Sequence, residues 1–233
     1  LGMVYGLGDR YSSYMDESTF TSFMDQTEGT YTGIGAAVNS TDDGRVMIVS
    51  PYDGSPAAKA GLQPKDIITE VDGIDIRNAG IDNVVAMMKG EAGTVVNITV
   101  YRESEMRTFD VDVTRDTITI QTVTSKMMDN NIGYIRISGF ERVTFEQFDS
   151  ALNELKSQGA EGFILDVRNN PGGLLDTVAE ICNRLVPEGT IVYTEDKNGE
   201  QRFLKSDSDY LNMPIALLVN GNSASASEVL AGA

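Results

Sequence analysis

The sequence is 233 residues long, and 41% of its residues are hydrophobic, which is enough to bury a core in one or two domains. Its 35 acidic and 18 basic residues give a net charge of -17, so phosphate backbones would be repelled and nucleic acid is excluded as an expected partner. The absence of histidine excludes a Ser-His-Asp triad within the sequence and removes the commonest metal ligand.

The first strongly patterned region runs from about Thr30 to Asp116 and alternates apolar with polar residues. The stretch TVVNITVYRE places Val96, Ile98 and Val100 on one face, as expected of a strand with one solvated face. Two short helical stretches, SPAAKAGL and IDNVVAMMKG, and several glycine-containing turns separate the strands. We predict a small β-rich module here, with a domain boundary near Asp116.

From Ile132 onward the pattern becomes strand, helix, strand. The continuous apolar runs GFILDV and PIALLV are typical of parallel strands covered on both faces, with TFEQFDSALNELKSQG as the first crossover helix. We predict that Thr144 and Gln147 form a capping box at the start of this helix and that Gly159 ends it. The single cysteine, Cys182, lies on the apolar stripe of a later helix and is predicted to pack in the core.

A stretch with alternating serines, GNSASASEVLAGA, follows the second apolar run. Ser225 and Glu228 are three residues apart, which is the spacing of a capping box and requires no catalytic role. The same geometry exposes the Ser225 hydroxyl at a strand-to-helix turn, where the N–H of Ala226 points to a position that an oxyanion could occupy. Capping and catalysis are therefore both compatible with this turn.

A second turn of the same kind lies upstream in ILDVRNNPGGLLDTV. Gly172 and Gly173 allow the backbone to approach a ligand closely, and Pro171 stiffens the turn. In a parallel sheet both turns fall at the carboxyl edge, where open α/β sheets place their sites. Asp166 and Arg168, which precede the turn, are predicted to form an ion pair at the end of the strand.

Five motifs, in the family's order, resemble the C-terminal processing peptidases, also called tail-specific proteases. They are LGDRYSSYMD at Leu7 to Asp16, GTYTGIGAAV at Gly29 to Val38, GSPAAKAGLQPKDIITEVDG at Gly54 to Gly73, DVRNNPGGLL at Asp166 to Leu175, and SASASEVLAGA at Ser223 to Ala233. The resemblance implies an α/β fold with a crotonase-like core and an inserted β-rich PDZ domain, and an endopeptidase that recognises protein C-termini. It also implies a location in the bacterial cell envelope outside the cytoplasm, whether periplasmic, membrane-anchored or secreted.

The resemblance also assigns domains and catalytic roles. Residues 1–29 would begin the peptidase core, residues 30–116 would form the PDZ domain, and residues 117–233 would continue the core. The middle serine of SASASE, here Ser225, corresponds to the family's nucleophile, and the N–H groups of Gly173 and Ala226 would form the oxyanion hole. The family's catalytic lysine follows the nucleophile's helix, whereas all seven lysines here precede Ser225. We expect these seven to be solvated and the base to lie downstream of Ala233.

The PDZ-like region predicts a binding mode of its own. The loop TYTGIGA would present the N–H groups of Ile34, Gly35 and Ala36 to a terminal carboxylate, and the next strand would accept the peptide as an added strand. The helix NVVAMMKG would form the far wall of the groove. The predicted side-chain pocket consists of its residues Val84, Val85 and Met88.

Two function classes are open at this point. One is a serine endopeptidase with a Ser/Lys dyad, and the other is a PDZ-based peptide-binding protein with a catalytically inactive core. A lysine downstream of the nucleophile's helix would favour the enzyme. No metal or other cofactor is expected, because the acidic pairs lie in loops without the spacing of an oxygen cage. The expected partners are proteins or peptides with free C-termini, and the sequence leaves homo-oligomerisation open.

Overall fold

The computed structural model describes residues 2–9 and 12–233, so Arg10 and Tyr11 of the first motif lie outside the described residues. The chain divides into two compact units. The first contains the residues up to Gly29 together with Ile120–Ala233, and the second is Thr30–Thr119. None of the helices in the described ranges is long and apolar enough to cross a bilayer.

In the described part of the chain, two helices precede the first strand. Helix α1 spans Gly2–Tyr5, and helix α2 spans Glu17–Glu28. The Asp16 side chain caps α2 by accepting a hydrogen bond of 2.9 Å from the N–H of Thr19. Gly29 ends the helix in the left-handed conformation, with φ 73°, and the chain then enters the second unit.

The second unit is built on an antiparallel sheet. Its strands and helices are β1 Thr30–Gly33, β2 Ala36–Ser40, β3 Val46–Pro51, α3 Pro56–Lys59, β4 Ile67–Val71, β5 Ile74–Asp75, α4 Ile81–Met88, β6 Val95–Arg102, β7 Arg107–Thr114 and β8 Asp116–Thr119. The sheet has the order β2-β3-β4-β6-β7, with β5 paired to β4, while β1 pairs with β8. Strand β2 is therefore an edge strand, and α4 contacts it.

The predicted alternation in the second unit is confirmed. Val96, Ile98 and Val100 of β6 are fully buried, and on the paired strand β7 the side chains of Asp110 and Asp112 are exposed. These apolar side chains form the core of the unit together with residues of α4 and β3. Period-two burial of this kind is what an antiparallel sheet with one covered face requires.

The end of the second unit is set by strand pairing. The predicted boundary near Asp116 falls on the first residue of β8. Because β8 pairs antiparallel with β1, from Asp116 opposite Gly33 to Thr119 opposite Thr30, both strands belong to this unit. The unit therefore continues to Thr119.

The rest of the first unit alternates strands and helices. Its elements are β9 Val123–Met128, β10 Ile132–Ile137, α5 Thr144–Ser157, β11 Gly162–Asp166, α6 Leu175–Leu185, β12 Gly189–Glu195, β13 Gln201–Ser206, β14 Ile215–Leu218 and α7 Ala226–Gly232. The sheet order is β14-β11-β10-β9, in which β10, β11 and β14 are parallel. The predicted parallel arrangement is confirmed. Antiparallel β9 and the separate β12–β13 hairpin were not predicted.

The start of α5 differs from the prediction, although its end does not. Helix α5 begins at Thr144 itself and has no side-chain cap, so the predicted capping box is wrong. The Gln147 amide instead accepts a hydrogen bond of 2.9 Å from the N–H of Thr122 and donates one of 2.8 Å to the carbonyl of Ile120. It thereby satisfies the backbone of the segment that enters β9. Gly159, with φ 93°, follows the helix end as predicted.

Strand β14 also differs from the prediction. Its apolar sequence predicted a strand covered on both faces, whereas among the described residues β14 is the outermost strand of its sheet and Ile215 is 37% exposed. The neighbouring strand β11 is the covered one, with Phe163 and Leu165 buried. Since β11 and β14 are parallel and end side by side, the turns that follow them meet at one edge of the sheet.

Candidate active site and peptide groove

Ser225 lies between β14 and α7 and directly precedes the helix. Its backbone has φ 53° and ψ -115°, a conformation that is rare for a residue with a side chain. The Glu228 carboxylate accepts a hydrogen bond of 2.6 Å from the Ser225 N–H, which is one half of a capping box. Ser225 is exposed, so its side chain is held at the surface by a constrained turn.

The two neighbouring serines are engaged in structural hydrogen bonds. Ser223 Oγ donates to the carbonyl of Val167 at 2.7 Å, and Ser227 Oγ donates to the carbonyl of Asn170 at 3.0 Å. Ser227 is fully buried and Ser223 is half-buried, whereas Ser225 is exposed. Of the three serines, Ser225 is therefore the one whose position suits attack on an external group.

Gly172 packs against the Ser225 turn, and Gly173 packs against the backbone of Phe140. A Cβ on Gly172 would lie 2.8 Å from the Cβ of Ser225, and a Cβ on Gly173 would lie 2.4 Å from the carbonyl oxygen of Phe140. Both glycines also have positive φ, 110° and 146°. Only a residue without a side chain fits at these positions, and Gly172 allows the two turns to approach each other closely for that reason.

Two backbone N–H groups at this junction have no protein acceptor among the described residues, those of Gly173 and Ala226. Ala226 is the first residue of α7, where N–H groups have no partner within the helix. The neighbouring groups are engaged, since Gly172 donates to the Asn170 side chain at 2.8 Å and Leu174 donates to the carbonyl of Phe140 at 2.7 Å. The two N–H groups are therefore free to donate to an acceptor beside Ser225.

Asn170 holds these turns together, and sequence reasoning missed it. Its fully buried side chain donates to the carbonyl of Ile137 at 3.0 Å and accepts from the N–H of Gly172. Its own carbonyl accepts from the N–H of Ala224 at 3.1 Å and from the hydroxyl of Ser227. One residue thus links the end of β10 to both turns. The available signal was the Asn-Asn pair in the turn that follows an apolar strand.

The second unit contains an apolar groove of about 430 Å³ beside the edge strand β2. It is lined by Tyr31, the segment 33–38, Tyr52, and Val85, Met88 and Lys89 at the end of α4. An edge strand presents unpaired N–H and C=O groups, to which an extended peptide can add as a further strand. The groove therefore has the form of a peptide-binding site.

Most of the predicted groove residues lie where the prediction put them. Ile34, Gly35, Ala36, Val85 and Met88 line the groove. The N–H groups of Ile34 and Gly35 donate to no backbone carbonyl in the described part of the chain, so they are open to a ligand.

Val84 is the exception among the predicted pocket residues. It is fully buried in the core of the unit and does not line the groove. Successive helical residues point about 100° apart, so the turn that directs Val85 to the groove directs Val84 to the core. Val84 therefore packs the inner face of α4 against the core of the unit.

Two family models match the chain. Peptidase family S41 matches residues 131–233, which include the glycine turn and the Ser225 turn. The PDZ domain matches residues 47–102. The carboxy-terminal processing protease CtpA of Bacillus subtilis (strain 168) is 39% identical over 100% of this chain, which covers 50% of that protein. Over its whole length the chain is therefore similar to C-terminal processing proteases, with a peptidase S41 region and a PDZ domain.

Further relatives agree with this assignment. A probable CtpA-like serine protease of Staphylococcus haemolyticus (strain JCSC1435) is 38% identical over 100% of this chain and 47% of its own length. The solved photosystem II D1 C-terminal processing protease is similar with a TM-score of 0.50 and 29% identity, covering 99% of this chain and 64% of that one. The chain spans about half the length of the curated relatives it matches. We call the unit with Ser225 the peptidase unit and Thr30–Thr119 the PDZ unit.

In the peptidase unit, the predicted ion pair of Asp166 and Arg168 is present and has a third member. The Arg168 guanidinium contacts the buried Asp166 carboxylate at 2.6 and 2.9 Å, and the Tyr134 hydroxyl donates to it at 2.6 Å. These hydrogen bonds, those from Arg168 most of all, hold the pKa of Asp166 well below its usual range, and the bond to Asp166 raises the pKa of Tyr134. The cluster anchors the end of β11, directly before the glycine turn.

The lysines of the peptidase unit do not have the surroundings of a base. Lysine can deprotonate a serine when burial lowers its pKa and populates the neutral amine. The four lysines of this unit are all exposed: Lys126, Lys156, Lys197 and Lys205. The expectation that the lysines are solvated is confirmed for these four and for Lys59 and Lys65 of the PDZ unit. It is wrong for Lys89, which is half-buried because it lines the groove.

Cys182 is a core residue of the peptidase unit, as predicted. It is fully buried, and burial raises the pKa of its thiol to about 12, so it is no nucleophile at neutral pH. Among the described residues there is no group of three or more cysteine and carboxylate side chains that could hold a metal ion.

In the PDZ unit, one end of the groove is polar. The Tyr31 ring packs beside Gly33, and burial, together with the neighbouring Tyr52 hydroxyl, raises the pKa of Tyr31 to about 12. The Lys89 ammonium lies 5.4 Å from the centroid of the Tyr31 ring. An aromatic pair and a cation therefore stand beside the apolar wall of Val85 and Met88.

Proposed function

We propose that this protein is a serine endopeptidase whose nucleophile is Ser225. The observation that carries the proposal is an exposed serine on a constrained turn, next to the two unpaired N–H groups of Gly173 and Ala226. Fixed donors at the position of a developing oxyanion are usually the largest single contribution to acyl-transfer catalysis. The proposal includes a crotonase-like core, which family resemblance and the parallel strands β10, β11 and β14 support.

The reaction would be a two-step acyl transfer. Ser225 Oγ attacks the scissile carbonyl carbon while its proton passes to a neutral lysine amine, and the N–H groups of Gly173 and Ala226 donate to the resulting oxyanion. The tetrahedral intermediate then breaks its C–N bond, the lysine returns the proton to the leaving amine, and an acyl-enzyme remains. Water, deprotonated by the same lysine, attacks the ester and releases Ser225 with the acid product.

The lysine of this Ser/Lys dyad would come from sequence beyond Ala233, because the four lysines of the peptidase unit are exposed. Turnover of an unstructured protein tests both assignments, using the full-length protein, its Ser225→Ala variant and a chain of residues 1–233. We expect turnover by the unmodified full-length protein and by neither of the others. Comparable rates for the 233-residue chain would put the base among its own lysines, and turnover by Ser225→Ala would overturn the choice of nucleophile.

We also propose that the PDZ groove binds the free C-terminus of the substrate, so that cleavage occurs near that end. The unpaired N–H groups of Ile34 and Gly35, the edge strand β2 and the apolar wall of Val85 and Met88 support this. Calorimetry on the Ser225→Ala protein, with matched apolar-ended peptides as free acid and as C-terminal amide, is the test. We expect about tenfold tighter binding of the acid, and equal affinities would contradict carboxylate recognition.

A second candidate is a PDZ-based peptide-binding protein with an inactive core, which the exposed lysines of the peptidase unit favour. Peptide binding without any turnover by the full-length protein would support this alternative. The proposed location outside the cytoplasm rests on family resemblance. It is tested by adding an external protease to spheroplasts with an intact cytoplasmic membrane and by assaying the medium, since an extracytoplasmic protein would be degraded or released and a cytoplasmic one protected.

A further inference from the structure

Three exposed asparagines join the glycine turn to the Ser225 turn. Asn169 lies in the glycine turn that follows β11, and Asn220 and Asn222 lie in the Ser225 turn that follows β14. Asn220 Oδ1 accepts a hydrogen bond of 2.9 Å from the N–H of Asn169, and Asn220 Nδ2 donates one of 2.9 Å to Asn169 Oδ1. The Asn222 side chain donates to the same Asn169 oxygen at 3.0 Å. We call these three residues the asparagine clasp.

The clasp also fixes the backbone within each turn. Asn220 Oδ1 accepts a further hydrogen bond of 3.1 Å from the N–H of Asn222, and the N–H of Asn220 donates to Ser223 Oγ at 3.0 Å. These bonds order the segment that leads to Ser225. In the glycine turn, Asn169 has φ 61°, a left-handed conformation that asparagine adopts more readily than most residues with a side chain.

The two unpaired N–H groups of the site belong to different segments of the chain. Gly173 is part of the glycine turn, whereas Ala226 directly follows Ser225. Their separation therefore depends on how the two turns are attached to each other, and an oxyanion needs both donors within hydrogen-bond reach. Buried Asn170 attaches the turns on the core side, and the clasp attaches them on the solvent side. With one attachment a turn can pivot, whereas with two it cannot.

The exposure of the clasp separates its effect on stability from its effect on chemistry. Exposed hydrogen bonds between neutral side chains replace similar bonds to water, so they add little to the free energy of unfolding. Reaction rate is more sensitive, because a misplacement of about 1 Å at an active site can cost about a hundredfold in rate. Loss of the clasp should therefore slow acyl transfer without unfolding the peptidase unit.

We propose that the asparagine clasp sets the distance between the two oxyanion donors, with Asn169 and Asn220 as positioning residues. This inference rests on the proposed function, in which Ser225 is the nucleophile and the N–H groups of Gly173 and Ala226 bind the oxyanion. The asparagines act through the two turns and take no part in bond making or proton transfer. Because the oxyanion develops only after substrate has bound, loss of the clasp should lower kcat rather than raise KM.

The test uses Asn169→Gly in the full-length protein, which removes the side chain and keeps a residue suited to positive φ. The matched control is Asn130→Gly, because Asn130 is also exposed, has φ 60° and lies at the amino end of β10, away from the site. Asn169→Gly should lower kcat for an unstructured protein substrate and the rate of fluorophosphonate labelling by about tenfold each, with KM unchanged. Asn130→Gly should change neither rate, and the two variants should unfold at the same temperature.

A second variant tests the pairing itself. Asn220→Ala removes the partner of Asn169 and should also lower kcat. In the double variant with Asn169→Gly, the loss should stay close to the larger of the two single losses, because both substitutions break the same pair. Losses that multiply would mean that the two asparagines act independently, which would overturn the clasp.

Failure of this inference can be distinguished from failure of the proposed function. Unchanged kcat and labelling in Asn169→Gly would overturn the positioning role and leave Ser225 as the nucleophile. A loss of rate accompanied by unfolding at a lower temperature than Asn130→Gly would overturn it as well, because the role would then be one of stability. Absence of both turnover and labelling in the unmodified full-length protein would overturn the proposed function, and this inference with it.

Discussion

The Ser225 turn and the PDZ groove both leave backbone N–H groups unpaired, but they surround these groups differently. At Ser225, the close packing of Gly172 and Gly173 and the hydrogen bonds of buried Asn170 leave one arrangement of the backbone. The groove borders an open strand edge and is lined partly by half-buried side chains such as Val85. Bond-making chemistry needs donors placed within fractions of an ångström, whereas added-strand binding tolerates varied side chains. Changes at the turn should therefore abolish activity, whereas changes in the groove should alter peptide affinity by smaller amounts.

The largest effect is expected at the serines of the turn. In the full-length protein, Ser225→Ala should lose labelling by a fluorophosphonate probe and lower hydrolysis by about three or more powers of ten, without changing peptide affinity in the groove. Ser223→Ala should still be labelled, because its hydroxyl bonds to the Val167 carbonyl. Labelling that survives in Ser225→Ala but disappears in Ser223→Ala would show that the wrong serine was chosen.

The glycine packing of the turn should be the next most sensitive feature. Gly173→Ala puts a methyl group 2.4 Å from a backbone carbonyl oxygen at a φ of 146°, and we expect a loss of about 3 kcal/mol in the free energy of unfolding. Gly54→Ala is the control, because Gly54 also has positive φ but has no atom within 4 Å of the added carbon. It should cost about 1 kcal/mol. Similar losses in urea denaturation for both variants would mean that close packing at Gly173 does not matter.

Adjacent valines of α4 should separate stability from binding in the PDZ unit. Val84→Thr introduces a hydroxyl into the core and should lower the free energy of unfolding by about 2 kcal/mol, with little effect on peptide affinity. Val85→Thr should weaken binding of an apolar-ended peptide by about 1 kcal/mol and leave stability almost unchanged. If denaturation showed the larger loss of stability for Val85→Thr and calorimetry showed the larger loss of affinity for Val84→Thr, Val84 rather than Val85 would line the groove.

The smallest effect is expected at Asp166, whose partner Arg168 is half-exposed. Asp166→Asn should cost about 1 kcal/mol at neutral pH. The folded pKa of Asp166 lies below its unfolded value of about 3.9, so the carboxylate stabilises the fold above that pH and loses this contribution as pH falls toward the folded pKa. The difference in the free energy of unfolding between wild type and variant, measured by urea denaturation, should therefore be constant near neutral pH and become smaller below about pH 4. A gap that does not change with pH would mean that the charge of Asp166 contributes nothing.

Several features of the site were predictable because they depend on local sequence. The two turns were predictable because glycines, prolines and alternating serines restrict the backbone near them, and the strand runs before them are continuous and apolar. The capping spacing of Ser225 and Glu228 was likewise local, and the Glu228 half of that interaction is present. The alternation of Val96, Ile98 and Val100 correctly predicted which face of β6 is buried.

Other features were decided only by the tertiary structure. Asn170 has partners on β10 and beyond β14, and Gln147 bonds to the segment before β9, so neither role follows from spacing along the chain. The exposure of β14 depends on its place in the strand order, and the burial of Val84 depends on which side of α4 faces the core. By itself, the sequence determined backbone conformation and the periodicity of burial, because these follow from neighbouring residues. Hydrogen-bond partners and sheet edges were decided by the fold, because they depend on segments that are distant in the chain.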